Sequence, residues 1–307
     1  MDGRVTVEVD GRRLTLSNLG KVLYPQAHVT KAEVIDYYTR ISPVLLPHVA
    51  GRPMTFTRWP DGVEGTSFFE KNVPSHAPPW VHRVTLPAPG SGRERAAIDY
   101  VLVDDLPTLV WAANLASLEL HVPQWRVGAD GGPLDPDLLV LDLDPGPPAD
   151  VVTCCAVALA LRAELAAAGL PVWVKTSGSK GLQLSVPLHP TPADRTSGFA
   201  RDLAERLARA HPDLVVSRMD KALRRGRVLI DWSQNNAAKT TVAPYSLRAR
   251  EAPTVSTPVT WAEVEACRTA TDLRFTAPDV LDRVAHDGDL LAGLLDPVHR
   301  GLLPGGP

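Results

Sequence analysis

The sequence is poor in cysteine, and this excludes two kinds of site. Its 307 residues include three cysteines, Cys154, Cys155 and Cys267. The odd number argues against a disulfide framework, and no two of them have the spacing of a zinc-binding pair. Cys154 and Cys155 lie in an Ala/Leu/Val-rich segment, where cysteine usually acts as a small buried hydrophobe. The low cysteine content favours a reducing, cytoplasmic compartment.

Long apolar runs and an excess of one charge are also missing. The longest apolar helical pattern, near 151–168, is interrupted by Arg162 and Glu164, so no membrane span is predicted. The N-terminus lacks an apolar signal segment. Lysine plus arginine number 32 against 35 acidic residues, a net charge of −3, which excludes a globally basic nucleic-acid binder. Local clusters remain, such as the five cations of 218–227, which are either a polyanion site or a solvated helix face.

One apolar segment ends in two carboxylates. Leu139-Val140-Leu141-Asp142-Leu143-Asp144-Pro145 is typical of a buried strand in which Asp142 and Asp144 share one side and the leucines the other. The two carboxylates would lie about 7 Å apart and repel each other unless a cation separates them. Mg²⁺ or Mn²⁺ suits such oxygen ligands. The alternative is a strand-end aspartate that caps the following turn, which suits Asp144.

Cationic residues further along the chain could hold phosphate groups. The turn Thr176-Ser177-Gly178-Ser179-Lys180-Gly181 offers backbone N–H donors and a lysine, although such turns often only reverse the chain. It is not a Walker loop, because its spacing differs and a strand follows it. Asp231 lies near the end of another predicted strand, and Lys239, Arg248 and Arg250 follow. Three carboxylates for two metal ions beside a cationic cradle are the equipment of nucleotidyl transfer.

A second candidate phosphate site lies nearer the N-terminus. Thr30 and Glu33 form a capping box, so a helix is predicted to begin after Thr30. Lys21 precedes this helix, and Lys31 lies in its first turn. Free backbone N–H groups at the helix start, together with two lysines, suit a phosphate. The alternative is a pair of solvated lysines.

Aromatic residues and one histidine have open roles. Phe68 and Phe69 lie next to each other, just before Lys71. On a strand they would point to opposite sides, which leaves one exposed as a base-stacking platform; the alternative is that both belong to the core. His121, in the strand predicted over 118–122, is either a core histidine or a residue that reaches the carboxylates.

The order and spacing of these motifs resemble the polymerase domain of bacterial ligase D, a branch of the archaeo-eukaryotic primase superfamily. The resemblance covers nearly the whole chain, and the succession of motifs is far more specific than any one of them. The motifs that carry it are Ser17-Asn18-Leu19-Gly20-Lys21-Val22-Leu23-Tyr24-Pro25, Leu141-Asp142-Leu143-Asp144-Pro145-Gly146, Lys175-Thr176-Ser177-Gly178-Ser179-Lys180-Gly181-Leu182, Asp231-Trp232-Ser233-Gln234-Asn235, Lys239-Thr240-Thr241 and Pro244-Tyr245-Ser246-Leu247-Arg248.

The resemblance implies a mixed α/β (α+β) primase-polymerase fold, with two β-sheets flanked by helices around a central catalytic cleft. The strands of Asp142 and Asp231 are expected side by side and antiparallel. One domain is expected over residues 1–300, and its parts are an N-terminal part of about 1–130, a catalytic sheet of about 131–255 and C-terminal helices of about 256–300, followed by a frayed tail at 301–307.

The resemblance also implies residue roles. Asp142, Asp144 and Asp231 would be the catalytic carboxylates that bind two divalent ions, Mn²⁺ or Mg²⁺. The nucleoside triphosphate would contact His121, Ser177, Lys180, Gln183, Lys239, Arg248 and Arg250. DNA with a gap or double-strand break would contact Asn18, Lys21 and Lys31 through its downstream 5′-phosphate, and Phe68, Phe69 and Lys71 at the template.

The chain departs from the family pattern in two ways. Relatives carry histidine two residues after the glycine of the Ser/Lys turn, whereas this chain has Gln183, which cannot carry a proton charge near neutral pH. A Lys-x-Asp-Gly adenylation motif is absent, so ligation is expected from a separate DNA ligase, with the Ku end-binding protein as a further partner. The expected protein works in the bacterial cytoplasm at the nucleoid.

The predicted function is therefore metal-dependent addition of ribo- or deoxyribonucleotides to DNA primers, gaps or broken ends, as in end joining. Gln183 motivates an alternative, a DNA-end-bridging protein with weakened catalysis. A third interpretation takes Asp142-Leu143-Asp144 as the metal motif of a sugar-nucleotide glycosyltransferase, but it leaves Asp231 and the lysine pair unexplained.

Overall fold

A computed structural model describes residues 3–87 and 97–305. The chain divides into two compact units. Unit 1 comprises residues 1–133, 242–254 and 276–288, and unit 2 comprises 134–241, 255–275 and 289–307. The chain therefore leaves unit 1 near the predicted boundary at 130 and returns to it twice.

Short strands alternate with helices along the described residues. The strands are β1 (Val5–Val9), β2 (Arg12–Leu16), β3 (Val22–Tyr24), β4 (Val29–Thr30), β5 (Pro53–Arg58), β6 (Phe68–Glu70), β7 (Arg83–Pro87), β8 (Ala97–Leu102), β9 (Ser117–Val122), β10 (Leu138–Pro145), β11 (Trp173–Thr176), β12 (Leu182–Pro187), β13 (Val215–Val216), β14 (Val228–Asp231), β15 (Thr241–Val242) and β16 (Pro258–Val259). The α-helices are α1 (Lys31–Val49), α2 (Leu106–Asn114), α3 (Val151–Ala167), α4 (Ala193–Ala210), α5 (Trp261–Ala266) and α6 (Ala277–Asp287).

Helix α1 and its partners organise unit 1. The predicted capping box is present, because Thr30 and Glu33 cap each other at the start of α1. Tyr37 Oη donates to the carbonyl of Tyr245 (2.7 Å), and Tyr38 Oη donates to the carbonyl of Leu118 (2.7 Å). The first buried bond holds the returning segment 242–254 against α1, and the second holds β9 against α1. The sheet of this unit has the order β15-β9-β5-β8-β7, and β6 also pairs with β5.

The sheet of unit 2 has an apolar and a polar side. Its order is β13-β14-β10-β12-β11-β16, and every pair is antiparallel except β13–β14. Leu139, Leu141 and Leu143 of β10 point to the side covered by α3 and α4, where they join one buried cluster. Alternation along the strand sends Asp142 and Asp144 to the other side. The mixed α/β class with more than one sheet is confirmed.

Within residues 3–87 and 97–305, no helix is both long enough and apolar enough to cross a bilayer. The three cysteines are buried free thiols, as predicted for Cys154 and Cys155.

The C-terminal region contains helices, and they divide between the units, since α5 belongs to unit 2 and α6 to unit 1. The expectation of a frayed tail is wrong for part of its length. The tail does not fray from 301, because the Gly301 N–H bonds to the carbonyl of Pro187 (2.9 Å) and Leu303 is buried in the unit 2 core. Residues 306 and 307 of the predicted tail lie outside the described residues.

Candidate functional site

The three predicted carboxylates come from neighbouring strands of the unit 2 sheet. β10 and β14 run antiparallel, and Asp142 and Asp231 are direct partners in their register. Asp144 lies two residues further along β10, so its side chain leaves the sheet on the same side as that of Asp142. The expected side-by-side, antiparallel pairing of these two strands is confirmed.

Burial and the neighbouring carboxylates change the ionisation of Asp142. Burial raises the pKa of Asp142 to about 7, and the negative charges of Asp144 and Asp231 add to this effect, while Lys175 opposes it. A carboxylate in this position is stabilised by a positive charge between it and its neighbours. In charge and in oxygen donors, the set fits a hard divalent cation.

The set is nevertheless not arranged as a finished metal centre. Among the described residues, no group of three or more His, Cys, Asp or Glu side chains could hold a metal ion as it stands. Asp231 illustrates the reason: its Oδ1 accepts from the N–H (3.0 Å) and Oγ (2.6 Å) of Ser233, and its Oδ2 accepts from Gln234 Nε2 (2.7 Å). A bound ion would compete with these hydrogen bonds.

In the segment after β14, Ser233 connects Lys239, a predicted phosphate-binding lysine, to Asp231. Lys239 Nζ donates to Ser233 Oγ, which itself donates to Asp231. Asn235 continues the ladder beyond the end of β14, because its side chain accepts from the Val140 N–H (2.8 Å) and donates to the Val140 carbonyl (2.7 Å). Sequence reasoning quoted this segment for the resemblance but gave Ser233 no role.

A row of polar residues crosses four strands on the Asp142 side. Lys175, Gln183, Asp142 and Asp231 are successive partners on β11, β12, β10 and β14. Gln183, 3% exposed, lies with its Nε2 3.4 Å from Asp142 Oδ1. Lys175, 2% exposed, donates to Ser256 Oγ (2.6 Å). Sequence reasoning missed Lys175, although a hairpin through the Ser/Lys turn predicts that it faces Gln183.

The Ser/Lys turn has a constrained backbone and an exposed lysine side chain. Ser177 Oγ accepts the N–H groups of Ser179 (3.2 Å) and Gly181 (3.1 Å). A Cβ at Gly181 would lie 1.9 Å from the Leu143 carbonyl oxygen, so only glycine fits. Lys180 is exposed. The turn can therefore present Lys180 to an anion from a fixed backbone.

The remaining predicted nucleotide contacts belong to unit 1. Arg248 Nε donates to Glu119 Oε1 (2.9 Å), and His121 Nε2 lies 3.0 Å from Glu119 Oε2. Arg250 is exposed. Sequence reasoning missed Glu119, although residues two apart on a strand share a side, which places Glu119 beside His121.

The lysines predicted to bind a 5′-phosphate also lie in unit 1. Lys31 is 6% exposed, and its Nζ donates to the carbonyl of Ser17 (2.7 Å). Burial, with the charges of Lys21 and Arg58, lowers the pKa of Lys31 to about 8. Lys21 Nζ pairs with Asp61 Oδ1 at 2.6 Å. Cations that repel one another in this way are stabilised by an anion.

A cavity adjoins Lys21, but the helix start offers no free amides. Asn18 and Lys21 help to line a cavity of about 570 Å³. The N–H groups of Lys31 and Ala32 bond to the carbonyls of Lys21 (2.8 Å) and Leu19 (3.0 Å). The Glu33 N–H points to Thr30 Oγ1 (3.4 Å). The expectation of free backbone N–H groups is therefore wrong, and a phosphate here would depend on side chains.

The two adjacent phenylalanines are both exposed. Phe68 is 54% and Phe69 61% exposed, so the expectation that at least one is a core residue is wrong. The short strand β6 offers no buried side for either of them. Lys71 Nζ lies 6.0 Å from the Phe69 ring centroid, and the His121 ring meets that ring edge-on at 6.4 Å. Adjacent exposed aromatic rings beside a cation suit stacking with nucleic-acid bases.

A family model and several known proteins match this chain. The family model described as LigD, primase-polymerase domain, matches residues 30–291. The chain is similar to the multifunctional non-homologous end joining protein LigD of Mycolicibacterium smegmatis, with 47% identity over 284 residues, 92% of this chain and 36% of the relative. LigD of Mycobacterium tuberculosis H37Rv is 46% identical over 291 residues, 92% of this chain and 37% of the relative.

A more distant relative and a solved structure also match this chain. The bifunctional LigD of Bacillus subtilis is 32% identical over 278 residues, 90% of this chain and 43% of the relative. The solved polymerase domain of Mycobacterium tuberculosis ligase D, in complex with DNA, is 44% identical with a TM-score of 0.86, and the match covers 92% of this chain and 98% of that one. The chain thus spans well under half the length of these curated relatives.

Proposed function

This chain belongs to the family of LigD primase-polymerase domains, nucleotidyltransferases of non-homologous end joining, and we propose that it adds nucleotides to the 3′ ends of DNA at short gaps and broken ends. One observation carries the proposal: Asp142 and Asp231 are direct register partners, and Asp144 shares their side of the sheet. Three carboxylates from two strands are the donor set that nucleotidyl transfer requires.

Divalent ions, Mn²⁺ or Mg²⁺, are the proposed cofactors, and Asp142, Asp144 and Asp231 would hold them. When bound, such ions activate the attacking 3′-hydroxyl and neutralise the leaving pyrophosphate. Lys175 supports the proposal, since its buried ammonium offsets part of the negative charge around Asp142 without taking a ligand position.

The proposed triphosphate contacts are cationic and polar side chains. They are Ser177 and Lys180 of the Ser/Lys turn, Gln183, Lys239, His121, Arg248 and Arg250. Charge-assisted hydrogen bonds of this kind position a phosphoryl group for in-line transfer.

The DNA would be bound by unit 1. Asn18, Lys21 and Lys31 would bind the 5′-phosphate of a downstream strand, and Phe68, Phe69 and Lys71 would contact the template. Because the relatives are end-joining proteins, a separate DNA ligase and the Ku end-binding protein are proposed partners of this chain. The proposed location is the bacterial cytoplasm, at the nucleoid.

A gap-filling assay tests the proposal. A primer–template with a short gap and a downstream 5′-phosphate is incubated with Mn²⁺ or Mg²⁺ and with ribo- or deoxyribonucleotides. Template-directed extension that stops with EDTA is expected. Tight DNA binding with no extension under any of these conditions would instead favour a catalytically weakened end-bridging protein, for which Gln183 and the hydrogen-bonded Asp231 are the motivating observations.

Gln183→His is expected to raise kcat/KM for nucleotide about three- to tenfold. Gln183 lies beside Asp142, and an imidazole there could carry a positive charge toward a triphosphate, which glutamine cannot. Steady-state primer extension measures the change. Gln183→Met, which keeps the volume but removes the polar atoms, serves as the control and should lower kcat/KM. If the Gln183→His protein has the same kcat/KM for nucleotide as the wild-type protein, the residue at this position does not limit nucleotide addition.

The preference for a 5′-phosphate is expected to fade as the pH rises from 7 to 9. The pKa of Lys31 is lowered to about 8, so its ammonium is charged below that pH and is lost above it. A phosphate monoester is already fully charged above about pH 7, so the lysine controls the change. Binding of gapped DNA with and without the phosphate measures it, and a ratio constant over this range would contradict the role of Lys31.

A further inference from the structure

Glu119 is a buried carboxylate of β9 that serves two residues of the predicted nucleotide set. It is 8% exposed. Its Oε1 accepts from Arg248 Nε (2.9 Å) and from the N–H of Ala249 (3.1 Å), and its Oε2 lies 3.0 Å from His121 Nε2. One side chain therefore holds the arginine with one oxygen and the histidine with the other.

The ionisation of Glu119 fixes the proton of His121. Burial alone would raise the pKa of Glu119, but the hydrogen bond from His121, the charge of Arg248 and the Ala249 amide lower it to about 2. An ionised carboxylate only accepts hydrogen bonds. His121 must therefore carry a proton on Nε2, and in the neutral ring Nδ1 is the remaining acceptor.

Arg248 is held at its backbone as well as at Nε. Its N–H bonds to the carbonyl of Thr254 (2.7 Å), and its own carbonyl accepts from Tyr24 Oη (3.1 Å). Loss of Glu119 would leave these backbone bonds in place and remove the carboxylate that Nε donates to. The guanidinium would then be less restricted, and binding a triphosphate would cost more conformational entropy.

We propose that Glu119 is a positioning residue for nucleotide binding, which presents the Arg248 guanidinium and the Nδ1 side of His121 as one preset pair. The inference rests on the proposed function, since it assigns Glu119 a task in the nucleotide site of that reaction. Residues that orient metal ligands typically change affinity or activity by about 10- to 100-fold when they are removed, and an effect of that order is expected for a residue that orients two phosphate-binding side chains.

Glu119→Gln tests the proposal. Glutamine keeps the size and can still accept from Arg248, but its amide cannot both do so and accept from His121 Nε2–H. We expect the KM for nucleotide to rise about tenfold or more, with a smaller change in kcat and unchanged affinity for primer–template DNA. Asp104→Asn is the matched control, because Asp104 also bonds a histidine, His82 (2.9 Å), and a backbone N–H, that of Gly51 (2.7 Å).

The outcomes separate this inference from the proposed function. If the wild-type protein does not extend primers at all, the proposed function fails. If it does, and Glu119→Gln has the same nucleotide KM as Asp104→Asn, the positioning role is overturned.

A second measurement reads the wild-type ring directly and does not use Glu119→Gln, so it holds even if that variant does not fold. Side-chain ¹⁵N NMR, with His121 assigned by comparison with His121→Gln, reports which ring nitrogen carries the proton. The neutral ring is expected in the Nε2–H form. A ring protonated at Nδ1 alone would overturn the proposal.

Discussion

Asp142→Asn is expected to lower the rate of nucleotide addition on the order of 10³-fold, about 4 kcal/mol in the activation barrier. Asparagine keeps the shape of the side chain but loses the charge that a divalent ion would bind. Asp231 and Asp144 cannot compensate, because the carboxylate between them is the one that is removed. Primer extension with Mn²⁺ under single-turnover conditions measures the loss, and filter binding checks that DNA affinity is retained.

The same substitution is expected to stabilise the metal-free protein. Because the folded-state pKa of Asp142 is raised to about 7 from its usual value of about 4, the unfolded chain ionises this group first. The free energy of unfolding therefore falls as the pH rises from about 4 to about 7, and the loss persists unchanged above pH 7. In EDTA at pH 8, Asp142→Asn should therefore increase the free energy of unfolding by at least about 1 kcal/mol. Asp213→Asn, at an exposed position of unit 2, should change neither property. An active or destabilised Asp142→Asn protein would contradict the role of this carboxylate.

Lys21→Ala is expected to weaken binding of gapped DNA about 10- to 100-fold when the downstream strand carries a 5′-phosphate. A hydrogen bond to a charged group contributes about 1.5–3 kcal/mol, which corresponds to that range. The same DNA without the phosphate should bind equally well to both proteins. Fluorescence anisotropy with the two DNAs measures the difference, and an equal loss on both would reject a phosphate-specific site.

Asp61→Asn is expected to have the opposite effect to Lys21→Ala on the binding of DNA with a 5′-phosphate. Asp61 accepts from Lys21 Nζ at 2.6 Å and is itself largely exposed, so a phosphate must compete with it for the lysine. Removing its charge should increase affinity for the phosphorylated gap several-fold. Arg13→Ala, an exposed cation of the same unit, is the control and should not distinguish the two DNAs.

Local patterns determine much of this fold, and the sequence reveals them. Alternation placed the leucines of β10 opposite its two aspartates, and the capping box placed the start of α1 at Thr30. These features depend on residues close together in the chain. The resemblance added the family, which the comparisons confirm.

Features that depend on contacts distant in sequence were not predictable. Nothing local reveals that Glu119 reaches Arg248, which is far away in the chain. The free amides expected at α1 were wrong for the same reason, because carbonyls of the preceding loop take them. The exposure of both Phe68 and Phe69 was not predictable either, because it depends on which residues cover β6. The bonds from Ser233 and Gln234 to Asp231 are different, because they join residues two and three apart and an Asx-type turn after β14 could have indicated them.

The most direct test of the central claim is anomalous scattering from crystals grown with Mn²⁺ and a non-hydrolysable nucleotide. We expect an ion about 2.1 Å from carboxylate oxygens of Asp142, Asp144 and Asp231, with Asp231 turned away from Gln234. Ions bound only elsewhere, with Asp231 still hydrogen-bonded to Ser233 and Gln234, would contradict the account.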